Sequence, residues 1–345
     1  MTRILVQGIG GVGGLVAGEL LRAGADVTLV TGNPVIAETI NQHGICVKTP
    51  SNEFKVAATA YSSIADIASS EIFDCAYLTM MATSVVEGAR AAAPRLEKNG
   101  YFVAFQNGFV EDAIGAAVGK HRVISATVAL GSTMVSPGVY QRTTEGRLII
   151  GELDGRSPER LHDLQSTLSA IIDTEISRNI VGVLWGKLVW NGAVSCLCAI
   201  SGKTLGELFD CAIGRELFLL AFRESVDTAR AQNIEIETVI VKPDKYYFGQ
   251  TDSNERRATL LEKLTAFATL YAGVTPSTLE SLRRGRKSEV DFLNGYIIEK
   301  ALEKNIAVPL NEIVVEMVRD IEAKNRTITP SNLDELATRY ASATR

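Results

Sequence analysis

Residues 4–30, ILVQGIGGVGGLVAGELLRAGADVTLV, constrain the fold of this chain more than any other stretch. An apolar β-type run leads into Gly8-x-Gly10-x-x-Gly13, a helical run closes at Gly24, and a second β-type run follows. In a strand–turn–helix–strand unit each glycine has a mechanical role. Gly8 permits the tight turn, Gly10 lets a pyrophosphate approach the backbone, and Gly13 lets helix and strand pack closely. The helix N-terminus adds unpaired N–H groups and a positive dipole. The loop Gly8-Ile9-Gly10-Gly11-Val12-Gly13 is therefore the expected dinucleotide contact. A glycine-rich turn without a ligand is the alternative, and the surrounding elements weigh against it. After the second run an acidic residue would favour NAD and an arginine NADP. This chain has Thr31-Gly32-Asn33, which is neither.

At 345 residues the chain is long for one core, so two domains are expected. The runs RILVQ, ADVTLV, FDCAYLTM, GYFVAFQ, RVISATVAL and RLIIGEL alternate with helical stretches through residue 150, the rhythm of an α/β sheet with crossover helices. The segment 133–150, with SPGVY as a turn, is expected to add antiparallel strands. From about residue 183 the runs take helical period, at 207–232, 255–272, 277–304 and 309–324. The predicted organisation is a Rossmann-type α/β dinucleotide-binding domain at 1–180, an all-helical substrate domain at 181–325, and a loosely packed tail at 326–345.

A net charge of −5 gives no reason to expect nucleic acid or an anionic membrane as partner. The N-terminus lacks a basic segment before an unbroken apolar run, and no later apolar stretch is expected to span a bilayer. Five cysteines, with a lone C-x-C at Cys196 and Cys198, suit buried reduced thiols better than a metal site. A cytoplasmic protein, monomeric or homodimeric, with a small-molecule substrate and no metal is the expectation.

The segment LWGKLVWNGAVSCL, residues 184–197, reads as an apolar helix carrying one polar stripe, Lys187, Asn191 and Ser195, spaced by fours. An ammonium group is costly to bury unpaired. Either Lys187 snorkels to water and the other two bond locally, or the stripe lines a site and touches a polar substrate. A reductase needs a proton donor for the nascent alkoxide. His43, His121 and His162 lie outside any site motif, and no Tyr-x-x-x-Lys pair follows a serine. Lys187 is the strongest candidate, because enclosure among apolar groups lowers a lysine pKa.

Four segments in this order, GIGGVG at 8–13, FQNG at 105–108, WGKLVWN at 185–191 and PSTLESLRRGRKSEVDFLNG at 276–295, resemble the ketopantoate reductase (2-dehydropantoate 2-reductase) family over roughly residues 3–320. That resemblance implies Lys187 as catalytic acid, Asn191 beside it on the substrate, and Asn107 touching cofactor and substrate. It also implies Ser277 on the substrate carboxylate, and Glu289 by the nicotinamide ribose and the lysine. Read without it, Asn107-Gly108 is a common turn pair, Ser277 begins a capping box, and Glu289 is a solvated charge paired with Arg286. The chain departs from the family pattern at four positions. Gly32 and Met81 stand where cofactor-binding cations are usual. Ser195 and Leu205 stand where substrate-binding asparagines are.

The function expected is NAD(P)H-dependent reduction of a small branched 2-oxo acid, ketopantoate first, in a cleft between the domains. NADP is the expected cofactor, with NAD as the alternative. A reductase of another oxo acid and a non-catalytic dinucleotide-binding sensor are the other readings.

Overall fold

A computed structural model describes residues 2–344, and the chain divides into two compact units, Met1–Ile180 and Val181–Arg345. The first contains strands β1 (Arg3–Gln7), β2 (Asp26–Val30), β3 (Ile45–Lys48), β4 (Glu53–Val56), β5 (Thr59–Tyr61), β6 (Phe73–Leu78), β7 (Leu96–Ala104), β8 (Val123–Val128), β9 (Gly131–Ser136), β10 (Val139–Thr144), β11 (Leu148–Glu152) and β12 (Thr174–Ile176). Between them lie helices α1 (Gly11–Arg22), α2 (Pro34–His43), α3 (Ala82–Ala92), α4 (Glu111–Val118) and α5 (Glu159–Ser169).

Eight strands form one sheet in the order β12-β11-β8-β7-β6-β1-β2-β5, parallel throughout except where β11 runs antiparallel to β8. From β1 the chain winds outward to β2, then returns to β6 on the other side, so the topology switches between β1 and β6. Ligands of open α/β sheets bind outside the carboxyl ends of the strands at such a point. A second sheet, β4-β3-β10-β9, was only half expected: the β9–β10 hairpin follows from SPGVY, whereas ICVK and EFKV are too short and mixed to stand out.

Helix α1 packs against strands of both sheets, which accounts for burial of the unbroken run Gly13–Leu20. A Cβ at Gly14 would overlap the Tyr140 ring, and one at Gly18 would press on Val47. The surplus glycines of GIGGVGGLVAG thus admit the second sheet, a packing demand separate from ligand binding.

The second unit is helical. It contains α6 (Ile180–Ser201, whose first residue closes the first unit), α7 (Leu205–Asp210), α8 (Ala212–Ala231), α9 (Pro243–Tyr246), α10 (Asn254–Leu270), α11 (Ser277–Arg283), α12 (Asn294–Leu302), α13 (Pro309–Glu322) and α14 (Asn332–Ala343). An α/β unit followed by a helical one is the fold class that the sequence implied. Helix α6 is the hub. Trp190 stacks on Phe209 at 5.9 Å and meets Phe218 and Phe267 edge-on, while Trp185 lies 6.0 Å from Tyr296.

Four expectations need correction. By length and hydropathy α6 does match a membrane span, but 89% of that apolar window is buried inside the fold, so it is a core helix. The run 207–232 is two helices, broken where Cys211 takes extended geometry. The run 277–304 breaks after α11, where Gly285 adopts φ +65°. The tail is not loosely packed. Leu333 and Leu336 are buried, α14 packs on α8 and α13, and Arg326 forks onto Glu335 at 2.8 and 2.7 Å.

Candidate active site

In the first unit the loops that follow β1, β2, β6 and β7 share one edge of the parallel sheet, which gathers Gly8–Gly13, Thr31–Asn33, Thr79–Met81 and Gln106–Asn107. Gly8 has φ +93°, and a Cβ there would overlap the Met80 backbone. A Cβ at Gly13 would overlap the Gly8 carbonyl and Thr79 Oγ1, which is the close packing expected of that glycine. Gly10 is exposed and has no atom within 4 Å of a built Cβ. It caps α1, whose first intrahelical bond runs from Gly14 N to Gly10 O at 2.9 Å. The first-turn amides of Gly11, Val12 and Gly13 therefore have no intrahelical acceptor. A pyrophosphate suits this cradle of donors and open space.

Thr31 Oγ1 accepts from Asn33 N at 2.9 Å and donates to Asn33 O, and Asn33 Oδ1 accepts from Val35 N to cap α2. Gly32, between them, is exposed with φ +69°. A side chain there would have space but a strained backbone. Met81 is half-buried at the N-cap of α3. Asn107 is half-buried in the turn after β7, where Gly108 takes φ +83°, so a turn and a site position coincide.

In the second unit every residue of α6 from Gly182 to Ser201 is buried except Lys187 and Asn191, which are half-buried. The stripe is real for its first two members. Ser195, the third, is buried at 8% exposure. Ser277 is exposed and is the first residue of α11, one past the N-cap Pro276, so it does not occupy the capping position. Its Oγ instead donates to Glu289 Oε2 at 3.5 Å. Glu289 is only 4% exposed, so it is not the solvated surface charge of the plainer reading. Its neighbour Ser288 is pinned by N and Oγ bonds to Glu322 Oε1, both 2.7 Å. Leu205 is buried at the start of α7, behind the capping box of Thr204 and Glu207. Cys196 and Cys198 are buried, and burial pushes both thiols up.

Sequence reasoning missed two groups here. Thr79 Oγ1 lies 2.8 Å from both the Gln7 and Gly8 carbonyls, and Gln106 Nε2 donates to the Leu78 and Met80 carbonyls at 2.8 and 2.9 Å. Both lock the loops of the sheet edge to one another. The other is a buried chain in the helical unit. Glu224 accepts from Leu310 N and Asn311 N at the start of α13, Asn311 Oδ1 accepts from Asn294, and Asn294 Nδ2 also donates to Gly192 O on α6. Only the Q of FQNG and the N of FLNG, which lie inside segments already singled out, could have drawn attention to any of these.

Residues 4–155 match the family model described as "Ketopantoate reductase PanE/ApbA", and residues 179–322 match its C-terminal counterpart. The chain belongs to the ketopantoate reductase family. It is 27% identical over 328 residues to a 2-dehydropantoate 2-reductase of Pyrococcus abyssi, covering 93% of this chain and 98% of that one. With the enzyme of the same name from Halobacterium salinarum it shares 24% over 323 residues, 92% of this chain and 98% of that one. A crystal structure of a PanE/ApbA family ketopantoate reductase from Ralstonia eutropha aligns with TM-score 0.78 and 26% identity over 93% of this chain and 99% of its own. D-mandelate dehydrogenase with NADH and anilino(oxo)acetate aligns at TM-score 0.79 and 19% identity over 94% and 100%, a likeness of fold. The protein is thus an oxidoreductase of the 2-dehydropantoate 2-reductase type, a dinucleotide-dependent reductase of an oxo acid.

Proposed function

We propose that the protein reduces a small branched 2-oxo acid, ketopantoate before others, with NADPH preferred and NADH accepted. The observation that carries this reading is the pair Lys187 and Asn191, the two half-buried residues along an otherwise buried stretch of α6. A half-buried ammonium can hand a proton to an oxygen that develops negative charge beside it. The loop Gly8–Gly13 and Asn107 would hold the dinucleotide, which supplies a hydride to the keto carbon when bound.

The chain's own residues then have distinct tasks. Lys187 Nζ gives a proton to the keto oxygen as it becomes an alkoxide, and the product is the 2-hydroxy acid. Asn191, one turn along, hydrogen-bonds the substrate beside it. Ser277 Oγ donates to the substrate carboxylate. It has one hydrogen, so that bond replaces the 3.5 Å contact with Glu289 and leaves the carboxylate of Glu289 to orient the lysine. Ser195, buried further along α6, bounds the part of the substrate remote from the keto group.

The test is turnover of the purified protein on ketopantoate, its analogue lacking the hydroxyl, and a 2-oxo acid with an aromatic side chain, each with NADPH and with NADH. The expected result is the highest kcat/KM on ketopantoate. Turnover confined to another acid would overturn the substrate, and no turnover on any would favour a dinucleotide-binding sensor.

A further inference from the structure

Four carbonyls belong to the loop from Gly8 to Gly11, and each one is engaged. Gly10 O accepts from Gly14 N inside α1 at 2.9 Å. The other three are met by side-chain hydroxyls from three separate elements. Thr79 Oγ1, just past β6, lies 2.8 Å from Gly8 O and shares its one proton with Gln7 O at the same distance, while Gly10 N also donates to Gly8 O at 2.9 Å. Tyr140, fully buried on β10, brings its hydroxyl 3.2 Å from Ile9 O. Ser132 Oγ, on β9, donates to Gly11 O at 2.8 Å. Thr79 and Ser132 lie 71 and 121 residues from the carbonyls they meet, so no local turn preference produces these contacts.

We infer that Thr79, Ser132 and Tyr140 are positioning residues that clamp the carbonyls of the glycine loop, so that the loop offers only N–H donors to the dinucleotide pyrophosphate. An anion gains from amide donors and loses from carbonyl oxygens turned toward it. A glycine loop is the part of the chain most able to rotate its peptides, because its residues lack a Cβ. Three hydroxyls that accept this mobility as a fixed geometry supply preorganisation, which raises affinity by lowering the ordering cost of binding.

The glycines beyond the G-x-G-x-x-G pattern fit the same arrangement. A Cβ at Gly14 would overlap the Tyr140 ring, and a Cβ at Gly11 would overlap the Ser132 carbonyl. These two positions give β9 and β10 the approach that the clamp requires. The second sheet thus has a task in ligand binding: it carries two of the three hydroxyls.

This inference rests on the dinucleotide reading of the loop. Its test is calorimetric titration of the full-length protein with NADPH, alongside thermal unfolding and steady-state kinetics. Thr79→Val, Ser132→Ala and Tyr140→Phe each remove one hydroxyl with little change of shape. Each should weaken NADPH binding by about three- to tenfold, and the three together by about thirtyfold to a thousandfold. The effect should fall on KM for NADPH, with kcat at saturating cofactor within twofold of wild type. Thr79→Ser, which restores the hydroxyl, should recover most of the affinity that Thr79→Val loses. A merely structural role would lower the unfolding temperature without this split or this rescue. The clamp is overturned if the single variants bind NADPH within twofold of wild type, or if Thr79→Ser binds no better than Thr79→Val. If the wild-type protein binds neither NADPH nor NADH, the dinucleotide reading itself fails and the clamp with it.

Discussion

Asn294 Nδ2 donates to the backbone carbonyl of Gly192 at 2.9 Å, one residue beyond Asn191 on α6. The same amide nitrogen donates to Asn311 Oδ1 at 2.8 Å, and Asn311 Nδ2 donates to Glu224 Oε2 at 2.7 Å. A single buried chain of bonds therefore ties α8, α13 and α12 to the turn of α6 that carries Asn191. Gly192 admits the contact, because a Cβ there would stand 2.8 Å from Ile297 Cδ1. Replacing Asn294 with Leu keeps the volume but leaves Asn311 Oδ1 buried without a donor. The expected cost is about 1–3 kcal/mol, read as a lower denaturation midpoint. Activity should fall with it, through kcat, while NADPH affinity holds.

Two buried carboxylates should make stability depend on pH in a particular direction. Burial raises Glu111 and Glu224 each to about 7, against an ordinary 4.5, although each accepts hydrogen bonds that pull the other way. The folded state therefore binds a proton that the unfolded state has released. The stabilisation is fully present below about pH 4.5 and is lost as pH rises through 7, at most on the order of 3 kcal/mol for each group. Urea midpoints at roughly pH 5.5, inside this window, and roughly pH 8, above it, should differ, with the higher midpoint at the lower pH. Glu111→Gln, whose amide can still meet Val110 N and Ser125, should flatten about half of that slope. A slope unchanged in this variant would show that Glu111 does not titrate there.

What could be read from the sequence divides along the range of the interactions. The glycine loop and its flanking strands are local, and their period and spacing name them. The polar stripe of α6 is also local, so Lys187 and Asn191 emerge from counting by fours. Ser277 was legible as a helix start but not as a partner of Glu289, because Glu289 is brought there by a break in the chain at Gly285. The chain from Glu224 to Gly192 joins residues 86 and 102 positions apart, and no pattern in one dimension reports it. The same holds for the hydroxyls on the glycine loop.

Gly10→Val separates ligand binding from folding. Gly10 is exposed, its φ of −85° and ψ of −158° are extended rather than left-handed, and its Cβ would meet no atom within 4 Å. The variant should fold with an unfolding temperature near wild type and lose measurable NADPH binding, because the new side chain fills the space a pyrophosphate needs. Gly13→Val makes the contrast: its side chain would drive into the Gly8 carbonyl and should destabilise the fold itself. Unchanged NADPH affinity in folded Gly10→Val would exclude the loop as the dinucleotide site.

Cofactor preference should be modest. Thr31 and Asn33 are hydrogen-bonded to one another, Gly32 has no side chain and Met81 is apolar, so none of these positions brings a positive charge. NADPH should be favoured over NADH by less than about a hundredfold in kcat/KM, roughly 2.7 kcal/mol, about the value of one charge-assisted contact. Kinetics with both cofactors at one salt concentration decide it. A thousandfold preference would require a cation elsewhere to read the 2′-phosphate.

The ammonium of Lys187 is the group on which the proposed chemistry depends most. Lys187→Ala removes the proton donor and should lower kcat by about two to four orders of magnitude, as loss of a general acid does. NADPH affinity should change little, since the pyrophosphate contacts are assigned to the glycine loop. Stability should change little too, because the side chain is only half-buried. Lys187→Arg is the sharper variant. It keeps a positive charge and hydrogen-bonding donors, but a guanidinium does not give up its proton near neutral pH. If Lys187 only orients the substrate by its charge, arginine should restore most of the activity lost in the alanine variant. If it transfers the proton, arginine should remain nearly as slow as alanine, with KM for the oxo acid recovered and kcat not. A variant that keeps full activity with alanine would return Lys187 to the surface, as a side chain reaching for water.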